Sequence, residues 1–402
     1  MTKIDEEACE YPFGPPDRLS IEPRLAGLRA EHPVLRVHMP YGGDAWLVTR
    51  YADVKTVLAD PRFSRAVPAG RDTPRPTAFQ APPSSIVRMD SSEHRRLRRL
   101  VAQAFSPRRV EMLRPRVQQI VDDLLDAMLV AGPPADLAAS LTWPLPITII
   151  CDLLGVPPGD RDQFLATTDG IMAPSAAGNI EQHVRDYNNY MVGLIARRRT
   201  EPSDDLLGML VHAKDDGDRL TEQEMIGFGA DLLFAGHETT ANQTGNFFYT
   251  LLADRHYWNE LVADPDLVPA AIEELLRITP FAASADSPNI AVENLEVNGR
   301  CIKAGDAVVT VLASANRDAE VFENPDEIDF HRTTNPHVAF GHGIHYCLGA
   351  QLARIEMQTA IATVIHRLPG LRLAVPADQV SWRTNRFLRG VTALPVTWDS
   401  TH

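Results

Sequence analysis

Apolar residues recur at helical spacing along most of this chain and alternate in only a few short runs. Val110, Leu113, Val117, Ile120, Val121, Leu124, Leu125 and Met128 share one face of a predicted helix that opens at Ser106-Pro107 and ends at Gly132-Pro133. Thr221 with Glu224 has the spacing of a capping box, and it predicts a helix running to about Ala253, roughly 48 Å long at 1.5 Å per residue. The stretch Phe228 to Gly236 is apolar on nearly every side except at Asp231, so this helix is expected to cross the centre of the molecule. Shorter helices are predicted around residues 23–32, 52–59, 146–154, 159–168, 180–199 and 271–278, and another from Tyr346 through Leu368. Strand-like runs are fewer: residues 34–38 and 45–48 flank a Gly42-Gly43-Asp44 turn, and residues 290–297, 301–302 and 307–314 surround an Asn298-Gly299 turn. The fold class predicted is mainly α with a smaller β region near residues 33–50, 287–314 and 370–402.

Between these elements the opening through Pro16 reads as an irregular arm. Residues 61–88, with six prolines, read as a long functional loop, and the small residues 173–179 as a lid. A net charge of -14 argues against a nucleic-acid or anionic-membrane binder, and no stretch has the length and apolarity of a bilayer crossing. Cys9, Cys151, Cys301 and Cys347 show no paired or zinc-like spacing, which fits free thiols in a reducing, cytoplasmic setting.

Three places carry candidate chemistry. In Phe340 to Ala350, Gly341, Gly343 and Gly349 crowd around Cys347, where a tight backbone and a beginning helix favour a thiolate. In the long helix, Ala235-Gly236-His237-Glu238-Thr239-Thr240 interrupts an apolar run. Gly236 there thins the helix for a ligand, and Thr239 can bond back to a carbonyl and open a site for water. A helix announced by Asp90 and Glu93 carries His94, Arg95, Arg96, Arg98 and Arg99. His94 and Arg98 share a face able to meet one anionic group, and the other arginines with Arg108 and Arg109 form a docking patch for an acidic partner. Glu274 and Arg277 add an i, i+3 ion pair.

The glycine–cysteine loop resembles the haem-binding loop of the cytochrome P450 family, with Phe340, Gly341, Gly343, His345, Cys347 and Gly349 at every fixed position. The turn Ala235 to Thr240, the pair His94 and Arg98, and the set Glu274, Arg277 and Arg332 also resemble that family's elements, in the same order. The resemblance implies a single-domain P450 fold over residues 1–402, with haem b between the long central helix and the helix after the cysteine loop. It implies Cys347 as the iron ligand, His94, Arg98 and His345 at the haem propionates, and Ala235, Gly236, Phe340, Gly341 and Gly349 against the haem. Glu238 and Thr239 would organise water and deliver protons for O2 activation, and Glu274, Arg277 and Arg332 would form a structural network. Phe79, Ile86, Val87, Leu232, Phe281, Ala282, Ala283, Phe387 and Leu388 would line a substrate pocket.

The activity implied is mono-oxygenation of a bulky small-molecule natural product by a cytoplasmic monomer, with O2 as co-substrate. Electrons would come from a separate ferredoxin and ferredoxin reductase, because the chain has no flavin or iron–sulfur segment. Peroxygenase chemistry, oxidative coupling or ring closure, and a haem sensor or carrier are the alternatives. One departure stands out: many bacterial members carry a propionate-contacting arginine where this chain has Ser287-Pro288-Asn289.

Overall fold

The structure is a computed structural model that describes residues 8–15, 17–66, 71–76, 85–102, 105–172, 180–201, 203–212, 220–282, 288–384 and 388–399. Phe79, Ala283, Ser287, Phe387 and the lid expected at 173–179 lie outside the described residues. The long helix forms over Glu222–Ala253 behind the predicted capping box: the Glu224 N–H donates to Thr221 Oγ1 at 3.2 Å and the Thr221 N–H to Glu224 Oε2 at 2.8 Å. It packs against the helices Pro144–Leu154, Ile180–Thr200 and Ala350–Arg367. Phe247, Phe248, Leu251, Trp258, Leu275, Ile355, Ile361 and Val364 join Leu125, Leu141 and Leu145 in one buried core.

The fully buried part of the central helix is Thr240 to Phe248, further along than its apolarity predicts. The preceding turn is more open, with Ala235 exposed and Leu232, Gly236, Glu238 and Thr239 half-buried. The helix predicted over residues 107–131 is divided into Pro107–Met112 and Arg114–Ala131, with Pro115 in the first turn of the second. Proline at that place cannot donate back into a preceding turn, so one apolar face is carried by two helices.

The largest sheet has six strands, in the order Cys9–Glu10, Val34–Met39, Gly43–Val48, Ala307–Thr310, Asn289–Ala291 and Phe63–Ser64. Its edges correct the sequence reading. Cys9–Glu10, expected in an irregular arm, pairs parallel with Val37–His38, and Phe63–Ser64 leaves the start of the proline-rich stretch to pair with Ile290–Ala291. Residues 290–297 hold two strands, Asn289–Ala291 and Leu295–Val297. The run at 307–314 turns into the short helix Leu312–Ala315 after Thr310. The Asn298-Gly299 turn has φ of 49° and 72°, as a two-residue hairpin requires. A three-stranded sheet joins Arg372–Leu373, Pro395–Thr397 and Ala135–Asp136. Among the described residues no helix is long and apolar enough to cross a membrane.

The helix Val268–Ile278 carries the Glu274 network whole. Arg277 donates to Glu274 through Nε at 2.8 Å and Nη2 at 2.6 Å, Arg332 Nε at 3.1 Å, Asn335 Nδ2 at 3.1 Å and the Asp329 N–H at 3.0 Å. Arg277 also donates to the carbonyls of Asn316, Pro325 and Glu327, and Glu274 and Arg277 are each only 1% exposed. Burial pushes the Glu274 carboxyl up, but the Arg277 bonds and charge hold it below its ordinary value. Glu274→Ala leaves two guanidiniums buried without their anion and is expected to destabilise the fold by about 3–5 kcal/mol, read from the urea unfolding midpoint. A loss below about 1 kcal/mol, the range of exposed pairs, would contradict the network's structural weight.

Candidate active site

The cysteine loop is a set of tight turns hung between two fixed points. The Cys347 N–H donates to the Phe340 carbonyl at 2.9 Å, and the Val338 N–H to Asn316 Oδ1 at 2.8 Å. Gly343, at φ +70°, passes so close to the helix Tyr51–Ala59 that a Cβ there would lie 2.3 Å from the Leu58 carbonyl oxygen. Gly341 has φ +74°, which side-chain-bearing residues seldom adopt. Gly349 differs, because a Cβ there would meet nothing within 4 Å, so a bulky group has room beside the sulfur.

The following helix begins at Ala350 with Gly349 as its N-cap, later than the expected start at Tyr346. Cys347 is exposed by surface area, yet burial among protein atoms pushes its thiol up. The Gly349 N–H, Arg98 and Arg354 pull the other way. Without a metal, burial outweighs these groups that favour the thiolate, and a metal cation bound there would favour it further.

Phe340 is held from behind by residues that no local motif announces. The Arg354 guanidinium lies 4.5 Å over its ring and donates to Glu273 through Nε at 2.7 Å and Nη2 at 2.8 Å. His337 Nε2 meets the same carboxylate at 3.1 Å. Burial raises the Glu273 carboxyl, but the bonds from His337 and Arg354 bring it down to about 2.

A second group gathers in front of the loop. The rings of His94 and His345 stand 4.4 Å apart, and Arg98 donates to the Tyr346 carbonyl. His94 Nδ1 and His345 Nε2 are buried without a hydrogen-bond partner, since Asp90 Oδ1 is 3.8 Å from the latter. Burial, with His345 and Arg98, lowers His94 to about 4; burial also lowers His345, against the pull of Asp90. Asp90, expected to cap the basic helix, directs its carboxylate elsewhere. It accepts from Ser64 Oγ, from the Arg65 N–H at 3.0 Å and from the Ala66 N–H at 3.2 Å.

On the central helix Thr239 Oγ1 bonds back to the Ala235 carbonyl as expected, and the helix remains continuous through the turn. Glu238 lies 3.6 Å from Arg383, whose guanidinium is 4.0 Å over the Trp143 ring, and Trp143 meets His237 edge-on at 5.3 Å. Arg383 and Trp143 were not legible as parts of this turn. At Gly236 a Cβ would lie 2.8 Å from Ile150, so its smallness also serves the packing of two helices.

Of the expected pocket residues, Ile86 is drawn to the central helix because its N–H donates to Asp231 Oδ2 at 2.9 Å, near Leu232 in sequence; Val87 beside it is exposed. Ala282 and Leu388 pair in an isolated bridge, and the Arg389 N–H donates to the Phe281 carbonyl at 3.1 Å, joining that wall.

The thiol of Cys347, open space over Gly349, and two orphaned imidazole nitrogens beside a guanidinium suit one group that carries a metal and carboxylates. Haem fits the residues present.

Comparison with known proteins agrees. The family described as Cytochrome P450 matches residues 170–369. The chain is 49% identical over 407 residues to nocardicin C N-oxygenase of Nocardia uniformis subsp. tsuyamanensis, covering 99% of this chain and 100% of that one. It is 43% identical to mycinamicin IV hydroxylase/epoxidase of Micromonospora griseorubida, covering 99% and 100%. The solved LnmA cytochrome P450 hydroxylase, from the leinamycin pathway of Streptomyces atroolivaceus, superposes with a TM-score of 0.92 at 46% identity, covering 97% of this chain and 100% of that one. The chain belongs to the cytochrome P450 family and is an oxidoreductase of the mono-oxygenase type.

Two predictions follow from the loop's supports. Gly343→Ala is expected to lower haem content, measured as the ratio of haem to protein absorbance, because its Cβ collides with a helix backbone; full occupancy would contradict the close approach. The Glu273 carboxyl is depressed in the folded state, so its contribution is complete above the ordinary carboxylate value of 4.5 and fades as pH falls towards about 2. The difference in unfolding free energy between wild type and Glu273→Gln should therefore be steady near neutral pH and shrink below about pH 4.5. A difference unchanged down to about pH 3 would remove the linkage.

Proposed function

We propose that this chain is a haem-thiolate mono-oxygenase that inserts oxygen into a bulky natural product, with electrons from a separate ferredoxin and its reductase. The observation that carries the reading is the glycine-framed turn at Cys347 with Arg98 bonded to the neighbouring Tyr346 carbonyl, while the same helix sets His94 4.4 Å from His345, each with a buried ring nitrogen that lacks a hydrogen-bond partner. Haem, when bound, supplies iron at which O2, two electrons and two protons yield one inserted oxygen atom and one water.

The chain's own residues do the rest. Cys347 holds the iron, while the glycine turns and the Phe340–Arg354 stack fix the sulfur's position. His94, His345 and Arg98 receive the propionates. Thr239 keeps its hydroxyl at the Ala235 carbonyl, where it can pass a proton to a water, and Glu238, steadied by Arg383, is the acid that replenishes it. Ile86, Leu232, Phe281, Ala282 and Leu388 present the substrate.

Natural-product chemistry is supported by the names of the similar proteins, an N-oxygenase for nocardicin C and a hydroxylase/epoxidase for mycinamicin IV. Both names describe oxygen insertion, which favours that outcome over coupling or ring closure. A monomer working in the cytoplasm is part of the same reading, over one domain spanning residues 1–402.

The test begins with the reduced carbon monoxide spectrum for the thiolate and an optical titration of the ferric protein with natural-product scaffolds. Turnover of the scaffold that shifts the spin state follows, under labelled O2 with a surrogate ferredoxin system. Label in the product supports insertion, and unlabelled coupled product overturns it. Thr239→Ala is expected to lower product per electron pair by about tenfold or more. Unchanged coupling in that variant, or efficient turnover of wild type by hydrogen peroxide alone, would remove the proton-relay role.

A further inference from the structure

The outermost strand pair of the six-stranded sheet brings an arginine to the histidine cluster. Phe63 pairs with Ala291 and Ser64 with Ile290 in antiparallel register, so Arg65 and Asn289 come next and stand opposite each other. Directly opposed residues share one face of a sheet with Cβ atoms about 4.5–5.5 Å apart, so an arginine at either position can serve the same place. The two side chains meet, Arg65 Nε donating to Asn289 Oδ1 at 3.3 Å. Asn289 is buried, and its Nδ2 has no hydrogen-bond partner.

The Arg65 backbone is fixed from the other side by Asp90, through its own N–H at 3.0 Å and that of Ala66 at 3.2 Å. Asp90 in turn accepts the His94 N–H at its carbonyl, at 3.3 Å, and its Oδ1 is 3.8 Å from His345 Nε2. Arg65 therefore shares its surroundings with both imidazoles, and its positive charge acts on each of them. The Asp90 carboxylate is already engaged by three donors, so a second carboxylate arriving here needs a cation of its own. A guanidinium fork matches a carboxylate better than an ammonium does.

We propose that Arg65, held by Asn289, supplies a guanidinium to a haem carboxylate, and that the chain carries this cation on the strand opposite position 289. The proposal rests on the haem reading above.

Arg65→Gln tests it, because glutamine keeps an amide able to bond Asn289 while removing the charge. Circular dichroism and thermal unfolding check the fold. The readouts are transfer of ferric haem to excess apomyoglobin and the ferric/ferrous midpoint potential. Wild type should bind haem and show the thiolate signature of the reduced carbon monoxide complex. Arg65→Gln should lose haem about three- to tenfold faster, with a more negative potential. Arg65→Lys, which keeps the charge without the fork, should fall between them, and it carries the comparison where Arg65→Gln does not fold. Adding Asn289→Arg to Arg65→Gln should bring the rate back to within about twofold of wild type. Wild-type haem loss and potential in Arg65→Gln, or a defect that Asn289→Arg leaves uncorrected, would overturn the proposal and leave the haem reading intact. A wild-type protein that takes up no haem, or shows no thiolate signature, would overturn both.

Discussion

Two adjacent carboxylates on one helix decide where the cysteine loop can be. Glu273 and Glu274 follow one another in Val268–Ile278, so their side chains leave the helix about 100° apart. Glu274 grips the chain on its way to the loop, at Asp329, Arg332 and Asn335. Glu273 grips both sides of it, at His337 and at Arg354 on the helix that follows. The sulfur of Cys347 is thereby referred to one rigid turn of helix, although the segment around it consists of turns and a single short 3-10 stretch. Both carboxylates hold their charge because each partner is a cation or a directed N–H.

A different balance operates in front of the loop. The chain is acidic overall, yet His94, His345, Arg98 and Arg65 converge there with Asp90 as the nearby anion. Asp90 spends its hydrogen-bonding capacity on Ser64, Arg65 and Ala66, so it organises the cluster without saturating it. The imidazoles keep one buried ring nitrogen each without a partner in the protein.

What could be read from sequence was what lies close together along it. The capping box at Thr221, the i, i+4 pair His94 and Arg98, the i, i+3 pair Glu274 and Arg277, and the glycine frame of Cys347 are local, and each appears where its spacing placed it. Errors arose where a local pattern had a distant partner. Asp90 looked like a helix cap but is taken by residues 24 to 26 positions earlier. Arg65 and Asn289 required a strand register that a two-residue strand cannot announce, and Arg354 met Glu273 across 81 positions. Pro115 was visible, but a continuous apolar face concealed the break it makes.

The proline-rich stretch shows how such distant contacts divide labour. Its start is held at Arg65 and Ala66 by Asp90, and its end at Ser85 and Ile86 by Asp231 of the central helix. Between them Arg75 bridges Tyr41, and Arg71 donates to the Gly305 carbonyl at 2.6 Å, tying the stretch to the sheet. The first anchor belongs to the histidine cluster proposed for the haem carboxylates, and the second is next in sequence to Leu232, an expected pocket residue. Burial raises both carboxyls and donors lower both, but at Asp231 burial wins over Ser85 and Ile86, whereas at Asp90 the donors win. Changes of sequence around Ser85 and Ile86 therefore act on the Asp231 anchor first, because the Asp90 anchor shares no residue with them.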